Sequence, residues 1–245
     1  MSIAGAKARS IFKDGHNCSQ SVLLAFSDEF NIDPDTLLNL ASSFGGGMGR
    51  LREVCGAVSG MFMVVGLKYG YSDPKDYNAK STHYKLIQYL AKEFKRQNGS
   101  IICRELLKER KDQNTFVPEK RTETYYQTRS CPDMVEMAAA IVEKIMNVTG
   151  KIAIACDNGV ISPELENCTQ FLVFSISGNV IVKCETVTCD LNENIADFLS
   201  GLNVDSVVSG SIKDTSAFNK KGIKTITQAK GVPYMFLQSN VVNAK

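Results

Sequence analysis

Cys18, Cys55, Cys103 and Cys131 each fall where the sequence signals the start of an α-helix. A helix N-terminus presents unpaired backbone N–H groups and a partial positive charge, which stabilise a thiolate and lower a cysteine pKa. Thiolates are the form that binds metals and attacks disulfides. Asn17 before Cys18, with Gln20 three residues on, makes a capping box leading into the apolar run Val22, Leu23, Leu24 and Phe26. Ser100 follows Gly99 and would cap a helix with Cys103 at its third position. Ser130, Pro132 and Asp133 place a cap, an early proline and an early acid around Cys131. Cys55 follows Gly45-Gly46-Gly47-Met48-Gly49 and sits just inside a helix expected to open at Glu53. The glycine stretch lacks the Lys-Ser/Thr ending of a phosphate loop and reads as a tight connection bringing backbone close to Cys55. One cysteine at a helix start is ordinarily a small packing residue. Four at one kind of position point to a shared site.

The elements that must position these residues divide near Asn147-Val148-Thr149-Gly150. Before it, apolar residues recur at spacings of three and four over residues 2–12, 19–30, 34–42, 53–69, 74–97, 101–110 and 132–146, which predicts helices. The polar run 111–129 reads as a long surface connection. Residues 54–67 are the most apolar stretch, and Gly56 and Gly60, four apart, would let a neighbouring helix approach closely. That helix should be the buried centre of a bundle. After the boundary, β-rich runs at 151–155, 170–175, 179–183, 206–209 and 224–227 alternate late on with helical stretches at 193–202 and 215–221. The expected architecture is two domains: an all-α helical bundle over residues 1–148, then a small α/β domain with a mixed sheet over residues 150–245.

Composition narrows the function classes. A net charge of +2, with no basic stripe interleaved with aromatics, argues against nucleic-acid binding. Residues 1–15 form an amphipathic pattern without the apolar core of a signal peptide, and the apolar stretch at 54–67 is short of the roughly 20 residues that span a bilayer. A cytoplasmic protein with no membrane association is therefore expected. In a reducing compartment eight cysteines are metal ligands or redox thiols sooner than structural disulfides.

With these residues in view, the first domain resembles a family of redox-active proteins named for spaced cysteines around a GCAxxG core. The matching stretches are Gly15-His16-Asn17-Cys18, the glycine loop, Cys55-Gly56-Ala57-Val58-Ser59-Gly60, Gly99-Ser100 with Cys103, and Cys131. The core here reads CGAVSG, with cysteine before glycine, a change of one position or about 100° around a helix. The resemblance implies a helical, cysteine-based redox or metal-cluster protein. The second domain resembles the dinitrogenase iron-molybdenum cofactor biosynthesis family, which implies a ribonuclease H-like α/β fold. It carries the resemblance in its opening strand with Cys156-Asp157-Asn158-Gly159, in the strand pair through Phe171 and Val180, and around Val204 to Gly210. Members often hold a histidine before the second strand. Neither His16 nor His83 lies in this domain, and Cys168 is the residue placed to substitute.

Four thiolates are the right number for an iron-sulfur cluster or a closed zinc site, and their long gaps require the tertiary fold to assemble it. Thiol-disulfide exchange would use the same residues, one attacking and one resolving. The reading adopted is a redox protein in which Cys18, Cys55, Cys103 and Cys131 act catalytically and hold an iron-sulfur cluster or other metal. Cys156 and Cys168 would be cofactor-binding, and electrons or a cofactor would pass between the domains. A redox partner or cofactor-assembly protein is the implied partner, and a homo-oligomer is left open. The alternatives are a metal-free thiol-disulfide oxidoreductase and a non-enzymatic carrier or regulatory module for metallocofactor assembly. Cys184 and Cys189 form a Cx4C pair that meets only if the chain turns at Thr188. His16 could activate Cys18 but more naturally faces solvent, as does His83.

Overall fold

The computed structural model describes residues 2–108, 116–190 and 193–242. Contacts divide the chain into one unit of Met1–Gly70 with Ile87–Met146 and a second of Tyr71–Leu86 with Asn147–Lys245.

The first unit is helical. Its elements are α1 (Ile3–Lys13), α2 (Cys18–Leu24), α3 (Pro34–Ser42), the distorted turn α4 (Gly45–Met48), α5 (Gly56–Tyr69), the later part of α6 (Tyr77–Asn98), α7 (Cys103–Leu106), α8 (Glu123–Thr128) and α9 (Cys131–Glu143). Local signals set several ends. Asp33 accepts from Thr36 N–H at 2.9 Å and Pro34 opens α3, so that helix begins where a cap and an N1 proline coincide. The predicted helix over 19–30 ends early, at Leu24, and continues only as a 3₁₀ turn over Ser27–Glu29.

Helix α5 is apolar nearly all round and buried along most of its length, as a central helix must be. It packs on α2 and α9, and α1 packs on α9. A Cβ added at Gly60 would lie 2.7 Å from Ser19 O, so α2 reaches α5 at backbone distance. The Tyr69 hydroxyl at the far end of α5 lies 2.7 Å from Ile145 O and ties down the end of α9. Phe12, Leu23, Met61, Leu90 and Phe94 fill the core between these helices.

The second unit is α/β. Strands β1 (Gly150–Asp157), β2 (Val160–Ile161), β3 (Gln170–Ser177), β4 (Val180–Thr188), β5 (Ser206–Val208) and β6 (Lys224–Ile226) form a mixed sheet in the order β4-β3-β1-β5-β6, with β2 paired to the end of β1. β1, β3 and β4 are antiparallel neighbours, while β5 and β6 run parallel to β1. The β1–β2 turn uses Asn158 and Gly159 at φ 48° and 81°, the left-handed pair that a two-residue hairpin demands. Helices α10 (Ile195–Gly201), α11 (Ser216–Lys220) and α12 (Pro233–Leu237) complete the unit. One sheet face buries Phe171, Val173, Leu199, Val207 and Phe218; the other buries Ile152, Ile154, Leu172, Phe174 and Leu237. No helix among the described residues is long and apolar enough to cross a membrane.

Candidate functional site

Cys18, Cys103 and Cys131 are the first residues of α2, α7 and α9, and Cys55 is the cap of α5. The capping box before Cys18 is present: Asn17 Oδ1 accepts from Gln20 N–H at 2.9 Å and Gln20 Oε1 accepts from Asn17 N–H at 3.0 Å. Two starts differ from the sequence reading. Helix α5 does not open at Glu53, because Val54 forms an antiparallel bridge with Ile102. Cys55 N–H donates to Ile101 O at 2.8 Å and Cys103 N–H to Glu53 O at 2.6 Å, so these backbones are spent on each other before either helix begins. Ser100 does not cap α7; its hydroxyl accepts from Ile102 N–H at 3.0 Å and pairs with Glu105. Side chains alternate along such a bridge, which puts Cys55 and Cys103 on the same face.

All four cysteines are buried and line one cavity of about 270 Å³. Glycines make the convergence possible. A Cβ at Gly47 would stand 2.6 Å from Cys103 Cβ, and Gly47 holds φ at +74°, where only glycine is at ease. A Cβ at Gly56 would stand 2.8 Å from Phe44 O and 3.0 Å from Cys18 Cβ. The glycine loop thus approaches Cys103, not Cys55 as expected, and the swapped order Cys55-Gly56 leaves room for Cys18. Met48 within the loop and Arg50 and Arg52 just after it also take positive φ, at 61°, 71° and 61°. Such conformations cost on the order of 1–3 kcal/mol each and gather where a site over-determines the backbone.

The segment expected as a surface connection is part of the cavity wall where it is described. Phe116, Glu119, Arg121, Tyr125 and Arg129 line it, facing Arg50 and Arg52; residues 111–115 of the expected connection lie outside the described residues. Glu119 is the clamp. Its Oε1 accepts from Arg50 and Arg52, both at 3.2 Å, and its Oε2 from Arg129 at 2.7 Å. Burial works to raise the Glu119 carboxyl, and Arg129 and Arg50 more than reverse this, holding it below the usual carboxylate range. These arginines went unnoticed in the sequence because a net charge of +2 hides local clustering. The usable signal was Arg50 and Arg52 directly behind a glycine loop.

The thiols are electrostatically unequal. The Cys18 thiol donates to Cys131, and Arg129, Arg121 and Arg52 add their charges, so Cys131 falls to about 7 despite burial. Cys18, the donor of that bond and itself buried, is raised well above the ordinary thiol value. Burial, then the nearby Cys103, pushes Cys55 up to about 12, against the N–H groups of Ala57 and Val58. Of the four, Cys131 is therefore the thiol most readily ionised, with Cys18 held neutral beside it. Among the described residues no three His, Cys, Asp or Glu side chains form a group that could hold a metal ion. The four thiols line one cavity without enclosing a single mononuclear point.

The remaining cysteines share no cavity among the described residues, although the Cys168 thiol donates to Cys156 O at 3.5 Å. Cys156 packs on one sheet face with Cys184, and Cys168 on the other with Cys189. Cys168 Sγ is 2.9 Å from Gln170 O and borders a cavity of about 310 Å³ with Glu166, Asp190, Glu193 and Lys213; Cys156 does not line it. Burial raises Cys156 and Cys168 alike. Cys184 and Cys189 lie on opposite faces because β4 runs on through Thr188, and both are free. The His16 ring nitrogen Nδ1 is 3.3 Å from Ile11 O, and His83 stacks edge-on against Tyr71.

A family model described as "Putative redox-active protein (C_GCAxxG_C_C)" matches residues 16–145, over half of the chain and the span that holds all four cavity cysteines. The chain belongs to this C_GCAxxG_C_C family. Family membership supports a general redox role. No curated protein matches the chain. Two crystal structures resemble parts of it. One, described as PH0822, is 21% identical with a TM-score of 0.34, covering 38% of this chain and 86% of that one. The other, a putative dinitrogenase from Methanocaldococcus jannaschii, is 24% identical with a TM-score of 0.30, covering 38% of this chain and 84% of that one.

Proposed function

We propose that Cys18, Cys55, Cys103 and Cys131 form one redox centre that holds an iron-sulfur cluster or another metal. The observation that carries this is the convergence of four buried thiols on one cavity walled by Arg50, Arg52, Arg121 and Arg129. The type and number of donors suit a multinuclear cluster, four sulfur ligands with guanidinium charge at hand to balance thiolates, although no three of them among the described residues are gathered closely enough for a single ion. A bound cluster would supply one-electron transfer. The chain's own residues would ligate it, balance its charge through the arginines and, through Tyr125 and Met134 in the lining, limit water.

The α/β unit, with three antiparallel strands followed by two parallel ones, fits a ribonuclease H-like domain that receives a metallocofactor. Cys168, beside its acidic cavity, is the better placed candidate there, and Cys156 the poorer. In this reading residues 1–148 and 150–245 are two functional domains of a cytoplasmic protein that passes electrons or a cofactor to a redox or assembly partner. The test is anaerobic purification of the full chain, reconstitution with ferrous iron and sulfide, metal and sulfide analysis, and an absorption spectrum. Iron and sulfide retained together, with the four thiols shielded from alkylation, is the expected result. Colourless protein free of iron, zinc and sulfide would sink the proposal.

The Cys18–Cys131 pair favours a second reading, metal-free thiol-disulfide exchange. The Cys131 thiolate would attack a substrate disulfide, form a mixed disulfide and release one thiolate. Cys18 would then resolve it, giving the Cys18–Cys131 disulfide and a second reduced thiol. Turnover of small disulfides by metal-free protein distinguishes this reading, and its absence in both states leaves the carrier role.

A further inference from the structure

We propose that the arginine wall of this cavity binds a small tetrahedral oxyanion at Arg121, beside the four cysteines. The inference rests on the reading of those cysteines as one site but not on the presence of a metal.

Arg121 is held in place without being satisfied. Its guanidinium carbon lies 4.3 Å from the centroid of the Phe12 ring and 4.7 Å from that of Tyr125, and its Nη2 donates to His16 O at 3.3 Å. Nη1 is buried and has no hydrogen-bond partner. A buried donor on a charged group is costly to leave unmet, which makes it a place where a ligand gains more than water offers. Among the described residues no carboxylate meets it. Glu119 is the single acid in the cavity lining among the described residues, and both its oxygens are engaged by Arg50, Arg52 and Arg129. Among the described residues, Arg50, Arg52 and Arg129 all reach Glu119, and none of these contacts extends to Arg121 Nη1. The strained backbone at Arg50 and Arg52 shows that the fold holds two of these cations at the cavity at some conformational expense.

Size and chemistry define the class of ligand. A space of about 270 Å³ lies below the roughly 300–1,000 Å³ of pockets for drug-sized molecules, so the ligand is small. A planar guanidinium fork matches oxyanions through paired, charge-assisted hydrogen bonds. The thiols alongside make sulfur oxyanions the natural first probe and phosphate the comparison.

The experiment uses the reduced, metal-free full chain, titrated calorimetrically with sodium thiosulfate and, separately, with inorganic phosphate, at an ionic strength fixed with chloride. One saturable site for thiosulfate, phosphate or both is expected, and Arg121→Gln should weaken it about tenfold or more. Binding of thiosulfate alone supports a sulfur oxyanion; binding of both supports oxyanions in general. No binding of either, or binding that Arg121→Gln leaves unchanged, overturns the proposal. Alkylation of wild-type Cys131 gives an independent reading. Anionic iodoacetate should react faster relative to neutral iodoacetamide than it does with free cysteine, and a ratio no higher than that of free cysteine also overturns it. That measurement stands if Arg121→Gln fails to fold. A chain that takes up iron and sulfide but binds no oxyanion defeats this inference alone. One that binds the oxyanion but takes up no metal defeats the cluster reading alone.

Discussion

Each unit of the chain carries four cysteines, and the folds treat them in opposite ways. In the helical unit Cys18, Cys55, Cys103 and Cys131 come from four separate helix starts and share one cavity. In the α/β unit Cys156 and Cys184 pack on one sheet face and Cys168 and Cys189 on the other. Backbone geometry accounts for the contrast. Helix starts can be aimed at a common point by the loops before them, whereas a strand sends alternate side chains to opposite faces. Cysteine in the sheet behaves as a small hydrophobe, and cysteine at the helix starts is collected into a site.

The largest effect that would sharpen this comparison is loss of the bound group. Cys131→Ser or Cys18→Ser should abolish most retention of iron and sulfide after anaerobic reconstitution, while Cys184→Ala and Cys156→Ser leave it at the wild-type level. Equal losses from both sets would erase the distinction between the two regions.

A smaller but still large effect is expected at Gly47. Alanine there must hold φ near +74° and place its Cβ 2.6 Å from Cys103 Cβ, so Gly47→Ala should cost on the order of 2–4 kcal/mol in urea unfolding. Gly159 also has positive φ, at 81°, but a Cβ there meets nothing within 4 Å. Gly159→Ala should therefore cost about 1 kcal/mol. A Gly47 variant no less stable than the Gly159 variant would remove close packing as the reason the helix starts converge.

What could be read in the sequence follows the same divide between local and distant causes. Helix α3 was legible at both ends, because Asp33 and Pro34 set its start within three residues. The start of α5 was not: Glu53 reads as a helix opener, but a bridge to Ile102, 48 residues away, holds that backbone extended. Three of the cysteine quartet were visible through start signals nearby, Asn17 for Cys18, Ser100 for Cys103 and Ser130 with Pro132 for Cys131, of which only Asn17 forms a side-chain cap; Cys55 had only the glycine loop before it. The arginine wall was not visible, since nothing near Glu119 in sequence says that it will meet Arg50 and Arg52. β2 and α12 escaped because two strand residues, or five helical ones, carry too little periodicity to register.

The two regions should also titrate differently. Cys131, lowered to about 7 from an ordinary 9.0, stabilises the fold fully above pH 9 and loses that contribution as pH falls through 7. Cys184, pushed up to about 12 by burial, contributes in the opposite sense: its stabilisation is present below pH 9 and is lost as pH rises toward 12. Iodoacetamide labelling read by mass spectrometry should give a midpoint near pH 7 for Cys131, with Cys184 unlabelled throughout the neutral range. A Cys131 midpoint near 9 would mean that neither Cys18 nor the arginines act on it in solution.

The smallest expected effect tests the clamp itself. Glu119 offsets part of the positive charge of Arg50, Arg52 and Arg129, and two of these arginines, Arg129 and Arg52, help to hold Cys131 as a thiolate. Glu119→Gln should leave more of that charge acting on Cys131, and so move its labelling midpoint down by roughly half a pH unit. The carboxylate is about a third exposed, at 35%, which keeps the effect modest and predicts that added salt shrinks it. A midpoint that rises instead would show that Glu119 acts mainly by holding the arginines in place. The wall would then be a mechanical scaffold first and an electrostatic one second, unlike the sheet faces, where packing alone decides where each cysteine lies.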